Sequence, residues 1–201
     1  MPARSAVYME DMRERILDAT LRCLDRSGLA NASLSEICQE AKISRGALYV
    51  HFASKSEILC CTVARATERW LTVSTFHDVP TLRDFLVAEY DLGGVDLQQG
   101  IYVEMELLAA ARTDLALREA VRQSSDARAD MIRVSMAGLQ AKGHLRAGLS
   151  SEIAAHLVGC FLDGIFVHAL GDRGDRKMHI AAVNTLLAGL LTPKALKSLP
   201  P

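Results

Sequence analysis

Apolar residues recur along this chain at intervals of three and four, and no strand-like alternation persists. That period belongs to helices with one buried face. Met12, Ile16, Ala19, Thr20 and Cys23 form one such stripe, which predicts a helix from about Glu10 to Arg26 with Gly28 as its C-cap signal. Leu34, Ile37 and Ala41 form a shorter stripe behind Ser33, and Ser33 with Glu36 three residues on makes a capping box. Ser44 opens a very short helix over Arg45 to Val50. Ser54, again with an acid at Glu57, starts a helix predicted from Lys55 to about Ser74, because no breaker interrupts it. Further helices are predicted from Pro80-Thr81 to Gly93-Gly94, Leu97 to Arg112, Asp114 to Lys142, Ser151 to Leu170 and Arg176 to Leu191. Thr192-Pro193 ends the last, and residues 194–201 read as frayed. The expected fold class is all-α, with about nine helices.

Composition supports this reading. Half the residues are apolar and 23% are charged, enough to bury a sizeable core. Three of the five prolines stand at positions 193, 200 and 201, which leaves long tracts free for helices. Net charge is −1, and it would not by itself suggest nucleic acid. Residues 1–56 carry 8 Lys/Arg against 7 Asp/Glu, a net +1, and the remainder carries 15 against 17, a net −2. Placement matters more: Arg45, His51 and Lys55 cluster, while Glu10, Asp11, Asp18 and Asp25 lie elsewhere. No signal peptide and no apolar run of about 18 residues is present, so a cytoplasmic protein without a membrane partner is expected. The five cysteines are then expected to be reduced thiols. Adjacent Cys60 and Cys61 admit a redox switch, against the plainer reading of small buried hydrophobes. No G-x-S-x-G, P-loop or H-E-x-x-H occurs, and His144, His156, His168 and His179 are scattered. No enzyme, metal site or cofactor is expected.

The short helices carry the functional signal. A helix, a tight turn and a second, exposed helix suit the DNA major groove, which is about 12 Å wide and accepts one helix. Residues 43–59, ISRGALYVHFASKSEIL, resemble the signature of the TetR family of bacterial transcriptional regulators. The resemblance extends back through Ile16, Ala19, Leu24, Gly28 and Ser33 and covers roughly the first third of the chain. Lys42 stands where the family usually has Gly; in a left-handed conformation its side chain costs about 1 kcal/mol. Ala32 and Cys38 replace the commoner Thr and Ala. None of these departures removes a DNA-facing group. The resemblance implies a three-helix head, residues 1–56, and a six-helix ligand-binding and dimerisation body, residues 57–201.

Within the head, Arg45 is the expected base reader, since a guanidinium matches guanine O6 and N7. Gly46 and Ala47 are small enough for close approach, and Ala47 and Val50 suit apolar contacts in the groove. Tyr49, His51 and Lys55 look like phosphate clamps, as the matching family positions are. Ser33 and Ser44 bring helix N-terminal amides that favour phosphate. Leu48 and Phe52 are expected in the core against Ile37 and Ile58. Each exposed residue alone is equally explained by solvation; the ordered set is not.

In the body, the last two helices are unusually apolar. The family resemblance implies that they pair with their copies, and the expected interface is Leu157, Phe161, Gly164, Ile165, His168, Ile180, Val183 and Leu187. Ordinary core is the alternative. One short helix reads few base pairs, so a homodimer on a double-stranded operator is expected independently. Residues 104–114, EMELLAAARTD, followed by LALREAV, resemble a common C-terminal subtype of the family more loosely. Expected lining of a cavity for an unidentified inducer is Trp70, Tyr90, Tyr102, Met105, Glu106, Met131, Phe161 and Phe166. Aromatic groups with one acid suit an apolar or cationic molecule, although such residues at helical spacing are commonly core. The leading expectation is a ligand-released repressor. An activator, a metal or redox sensor, or a scaffold that kept the fold without binding DNA stand as alternatives.

Overall fold

The short helices near the N-terminus exist because both of their ends are satisfied. In this computed structural model α2 (Leu34–Glu40) is closed by the expected box: Ser33 Oγ accepts the Glu36 N–H at 3.2 Å, and the Glu36 carboxylate accepts the Ser33 N–H at 2.9 Å. Ser44 Oγ accepts the Ala47 N–H at 3.1 Å and starts α3 (Arg45–His51). Seven residues form too few hydrogen bonds to hold a helix alone, so caps and packing must supply the rest. The packing comes from α1 (Ala6–Asn31), whose helical path breaks at Gly28 with φ 72 and ψ 172. Such a φ favours glycine, as the C-cap reading expects.

The structure describes residues 6–91, 95–169 and 176–199, without the side chains of 73, 89–91, 95–101, 166 and 169. The longer helices are α4 (Lys55–Val73), α5 (Val79–Asp91), α6 (Val95–Ala110), α7 (Leu115–Ala141), α8 (Ser151–Ala169) and α9 (Arg176–Leu190). A short α10 (Pro193–Leu196) lies in the stretch expected to fray; Thr192 Oγ1 caps it through the Ala195 N–H, with Pro at its first turn. The described residues form no strand, only one antiparallel bridge between Leu145 and Leu191. The all-α expectation holds.

Packing divides the chain into two compact units, residues 1–68 with 102–124, and residues 69–101 with 125–201. A cut at 56/57 follows the motif; the packing instead assigns the second half of α6 and the start of α7 to the same unit as the head. The first unit is built on Ile16, Leu24, Ile37, Leu48, Phe52 and Ile58, all at most 1% exposed. Leu48 and Phe52 thus sit with Ile37 and Ile58, as their spacing requires. The second unit is built on Leu82, Leu86, Met136, Leu139 and Leu187, fully buried among α5, α7 and α9.

Candidate nucleic-acid interface

The arrangement of α2 and α3 follows from their neighbours. The turn between them passes through Lys42 at φ 54, the left-handed conformation that a glycine adopts more cheaply. The Ile43 N–H returns to the Cys38 carbonyl at 2.9 Å and tightens the turn. Beneath α3, Leu48 and Phe52 are 1% exposed and fix its inner face. Its outer face therefore presents Arg45, Gly46, Tyr49 and Val50 to solvent, with Ala47 half-buried between them. Tyr49 is 50% exposed and Val50 59%. Two large apolar surfaces beside an exposed guanidinium are what a groove-reading helix presents when no DNA covers it. Ser33 and Ser44 are exposed, at the starts of α2 and α3.

Two of the expected phosphate contacts are less exposed than Arg45 and Tyr49. His51 is 6% exposed, so its ring belongs to the packing of the head and not to an exposed clamp. Its carbonyl, at the end of α3, accepts a hydrogen bond from Arg13 Nη1. Lys55 is half-buried at the start of α4, and its Nζ donates to the Leu29 carbonyl at 3.3 Å.

Arginines on α1 were not singled out by the sequence, yet they set this geometry. Arg13 lies 4.2 Å from the centroid of the Phe52 ring and donates to Cys61 Sγ at 3.6 Å as well as to His51. Arg15 Nη2 donates to the Ala41 carbonyl at 2.6 Å. Both place a cation on carbonyls at a helix C-terminus, where the backbone leaves acceptors unsatisfied and the dipole favours positive charge. Arg65, 10% exposed in its side chain, joins α4 to α1 through Glu14 at 2.6 Å and Asp18 at 3.0 Å. Paired charges of this kind are visible in a sequence only as charges.

The expected ligand residues fall into two groups. Trp70, Met131 and Phe161 are half-buried against the second unit's core, with Trp70 edge-on to Phe85 at 5.9 Å and Phe161 5.8 Å from the His179 ring. Tyr102 and Met105 belong to the first unit and are 50% and 44% exposed. Glu106 has a main-chain partner: its carboxylate accepts the Leu29 N–H and lies against Gly28 within the first unit. The side chains of Tyr90 and Phe166 lie outside the described residues.

The expected interface is corrected in part. Val183 and Leu187 are fully buried in this chain's own core and have no surface to offer a second copy. Leu157, at 42% exposed, and His168 face outward; Ile165 and Ile180 are half-buried, and space beside Gly164 is open. Ile153, Val167 and Met178, at 54%, 60% and 68% exposed, add further apolar surface on α8 and α9. Among the described residues no three His, Cys, Asp or Glu side chains group to hold a metal ion, and no helix is long and apolar enough to cross a membrane. Burial pushes the Cys60 thiol up, away from a reactive thiolate.

A family described as bacterial regulatory proteins, tetR family, matches residues 16–59. A second, the C-terminal region of BetI-type transcriptional repressors, matches residues 98–192. The HTH-type transcriptional repressor Rv1474c of Mycobacterium tuberculosis is 28% identical over 150 residues, 66% of this chain and 80% of that protein. The HTH-type transcriptional regulator SrpR of Pseudomonas putida is 38% identical over 64 residues, 32% of this chain and 30% of its own length. Against SrpR and two other curated regulators, the chain matches less than half of the relative's length. Salmonella enterica GusR has the same fold, with a TM-score of 0.70 at 25% identity over 90% of this chain and 95% of that one.

Proposed function

The chain belongs to the tetR family of bacterial regulatory proteins, and from that premise we propose a homodimeric, sequence-specific regulator, a repressor released from its operator by a small apolar or cationic molecule. The observation that carries this reading is the outer face of α3: Arg45, Gly46, Tyr49 and Val50 exposed on a capped helix whose inner face is locked by Leu48 and Phe52. Arg45 reads a guanine, Val50 and Ala47 touch the groove, and Tyr49 and Lys55 bond phosphate. Two copies place their α3 helices about 34–36 Å apart, in successive major grooves. The apolar residues on the outer faces of α8 and α9, Ile153, Leu157 and Met178, support pairing there.

The ligand site of this proposal lies in the second unit, beside Trp70, Met131 and Phe161. Aromatic faces suit an apolar molecule and also a cation, which the ring quadrupole attracts. Lys55 opens α4 and Trp70 sits three residues before its end, so one helix carries a phosphate contact and a ligand contact. A ligand releases DNA only by as much as it prefers the state that does not fit the operator. A hundredfold preference corresponds to about 2.7 kcal/mol, and DNA weakens ligand binding by the same factor.

Selection from random duplexes, followed by gel shift on the selected sequence and on DNA flanking the gene, tests the proposal. We expect salt-sensitive, sequence-preferring binding. Arg45→Ala should cost about 1–3 kcal/mol and relax preference at one position per half-site. Selection that returns no preferred sequence from the wild-type protein would overturn the regulator reading.

A further inference from the structure

The carboxylate of Glu106 has a partner 77 residues away, in the backbone of the head. At Gly28 the chain leaves the helical path with φ 72 and ψ 172, which takes the next amide out of the helical ladder. That amide, Leu29 N–H, donates instead to Glu106 Oε2. The φ of 72 favours glycine, and a Cβ built on residue 28 would stand 3.0 Å from each of the two carboxylate oxygens, so that Glu106 would have to give by a few tenths of an ångström. On its other side, the Leu29 carbonyl accepts the Lys55 ammonium at 3.3 Å. One residue of main chain is therefore held between an acid on α6 and the lysine that opens α4. All of these groups lie within the first compact unit.

We propose that Glu106 is a positioning residue for DNA binding, acting through Leu29 to present Lys55 to a phosphate. An ammonium has three N–H donors, so the bond to Leu29 leaves others for phosphate oxygens. A lysine without such a rest is a flexible four-carbon stem that must be ordered as DNA binds. With the rest in place, that ordering precedes binding. The inference builds on the DNA-binding reading and adds a contact to it from α6, outside the helix-turn-helix.

The test is the salt dependence of operator binding, on duplexes selected with the wild-type protein. Each phosphate neutralised contributes about 0.9 to the slope of log K against log salt. We expect Lys55→Ala to lower the slope by about 0.9 and Glu106→Ala to lower it by a similar amount, with affinity down about tenfold. The double variant should lose no more slope than either single one. Glu106→Gln keeps a carbonyl acceptor for the Leu29 N–H and should restore the wild-type slope. Glu106→Asp keeps the charge on a stem one carbon shorter, and should lose slope even if Glu106→Ala proves too unstable to assay. A protein merely weakened in its fold would show a lower Tm with an unchanged slope. That result for Glu106→Asp, or additive slope losses in the double variant, would overturn the inference. Wild-type protein without salt-sensitive operator binding would instead defeat the underlying DNA-binding reading.

Discussion

The two units solve the problem of holding helices in different ways. The first unit contains two helices of seven residues, and it fixes them with directed bonds: capping serines, Arg13 on the end of α3, Arg15 on the end of α2. The second unit draws mainly on longer helices, α5, α8, α9 and the later part of α7, meeting over leucine, methionine and phenylalanine. Directed bonds fix an angle; apolar contact fixes a distance and tolerates sliding. A surface that must match a DNA groove needs the first kind, and a unit that must answer to a ligand is served by the second.

The sharpest way to break this contrast is at the outer face of α8. Leu157→Glu should abolish the dimer, because two-fold pairing would bury two unpaired carboxylates, a cost of about 3–5 kcal/mol by analogy with broken buried ion pairs. Light scattering that still reports a dimer would move the interface elsewhere. Leu187→Ala probes the inner side of the neighbouring helix. It should lower unfolding stability by about 2–5 kcal/mol in chemical denaturation while leaving the dimer intact. Dissociation on that substitution would return Leu187 to the interface.

In the first unit, Arg13→Ala should cost about 1–3 kcal/mol, and Arg13→Lys should recover little of it, because a lysine cannot reach a carbonyl and cover a ring with one planar group. Full rescue by lysine would mean that charge alone suffices. The smallest expected effect is one of pH in the second unit. Hydrogen bonds from the Thr81 hydroxyl and N–H hold the Asp78 carboxyl below the usual carboxylate range. A lowered folded pKa stabilises the fold above the unfolded value, about 3.9, and that share disappears as pH falls through the folded value. Asp78→Asn should therefore flatten the acid limb of the stability profile slightly; an unchanged limb would show that exposure cancels the effect.

Those substitutions also mark how far the sequence could be read. Capping boxes, the buried pair Leu48 and Phe52, and the helix order were legible because each depends on residues within a few positions of one another. Arg13, Arg15 and Glu106 were not, because their partners are main-chain groups 26 to 77 residues away. Glu106 carried an acid's chemistry that suited a pocket equally well. On α9 the period revealed an apolar stripe but not which molecule it faces. Val183 and Leu187 face their own chain, and Met178 faces outward.

Lys42 carries one more implication. Its left-handed backbone costs about 1 kcal/mol that glycine would avoid, and its side chain is exposed beside α3. Residues 1–56 hold 8 basic and 7 acidic side chains, a net charge of +1, so the loss of any one cation, Lys42 included, leaves the head neutral. Replacing it by glycine would relax the turn and bring the head to neutrality. The strain in the turn thus trades against arrival: long-range attraction governs how often a protein meets a polyanion, before any groove contact forms. A head so nearly neutral depends on a few placed cations to find DNA, and one of them sits where the backbone least favours a side chain.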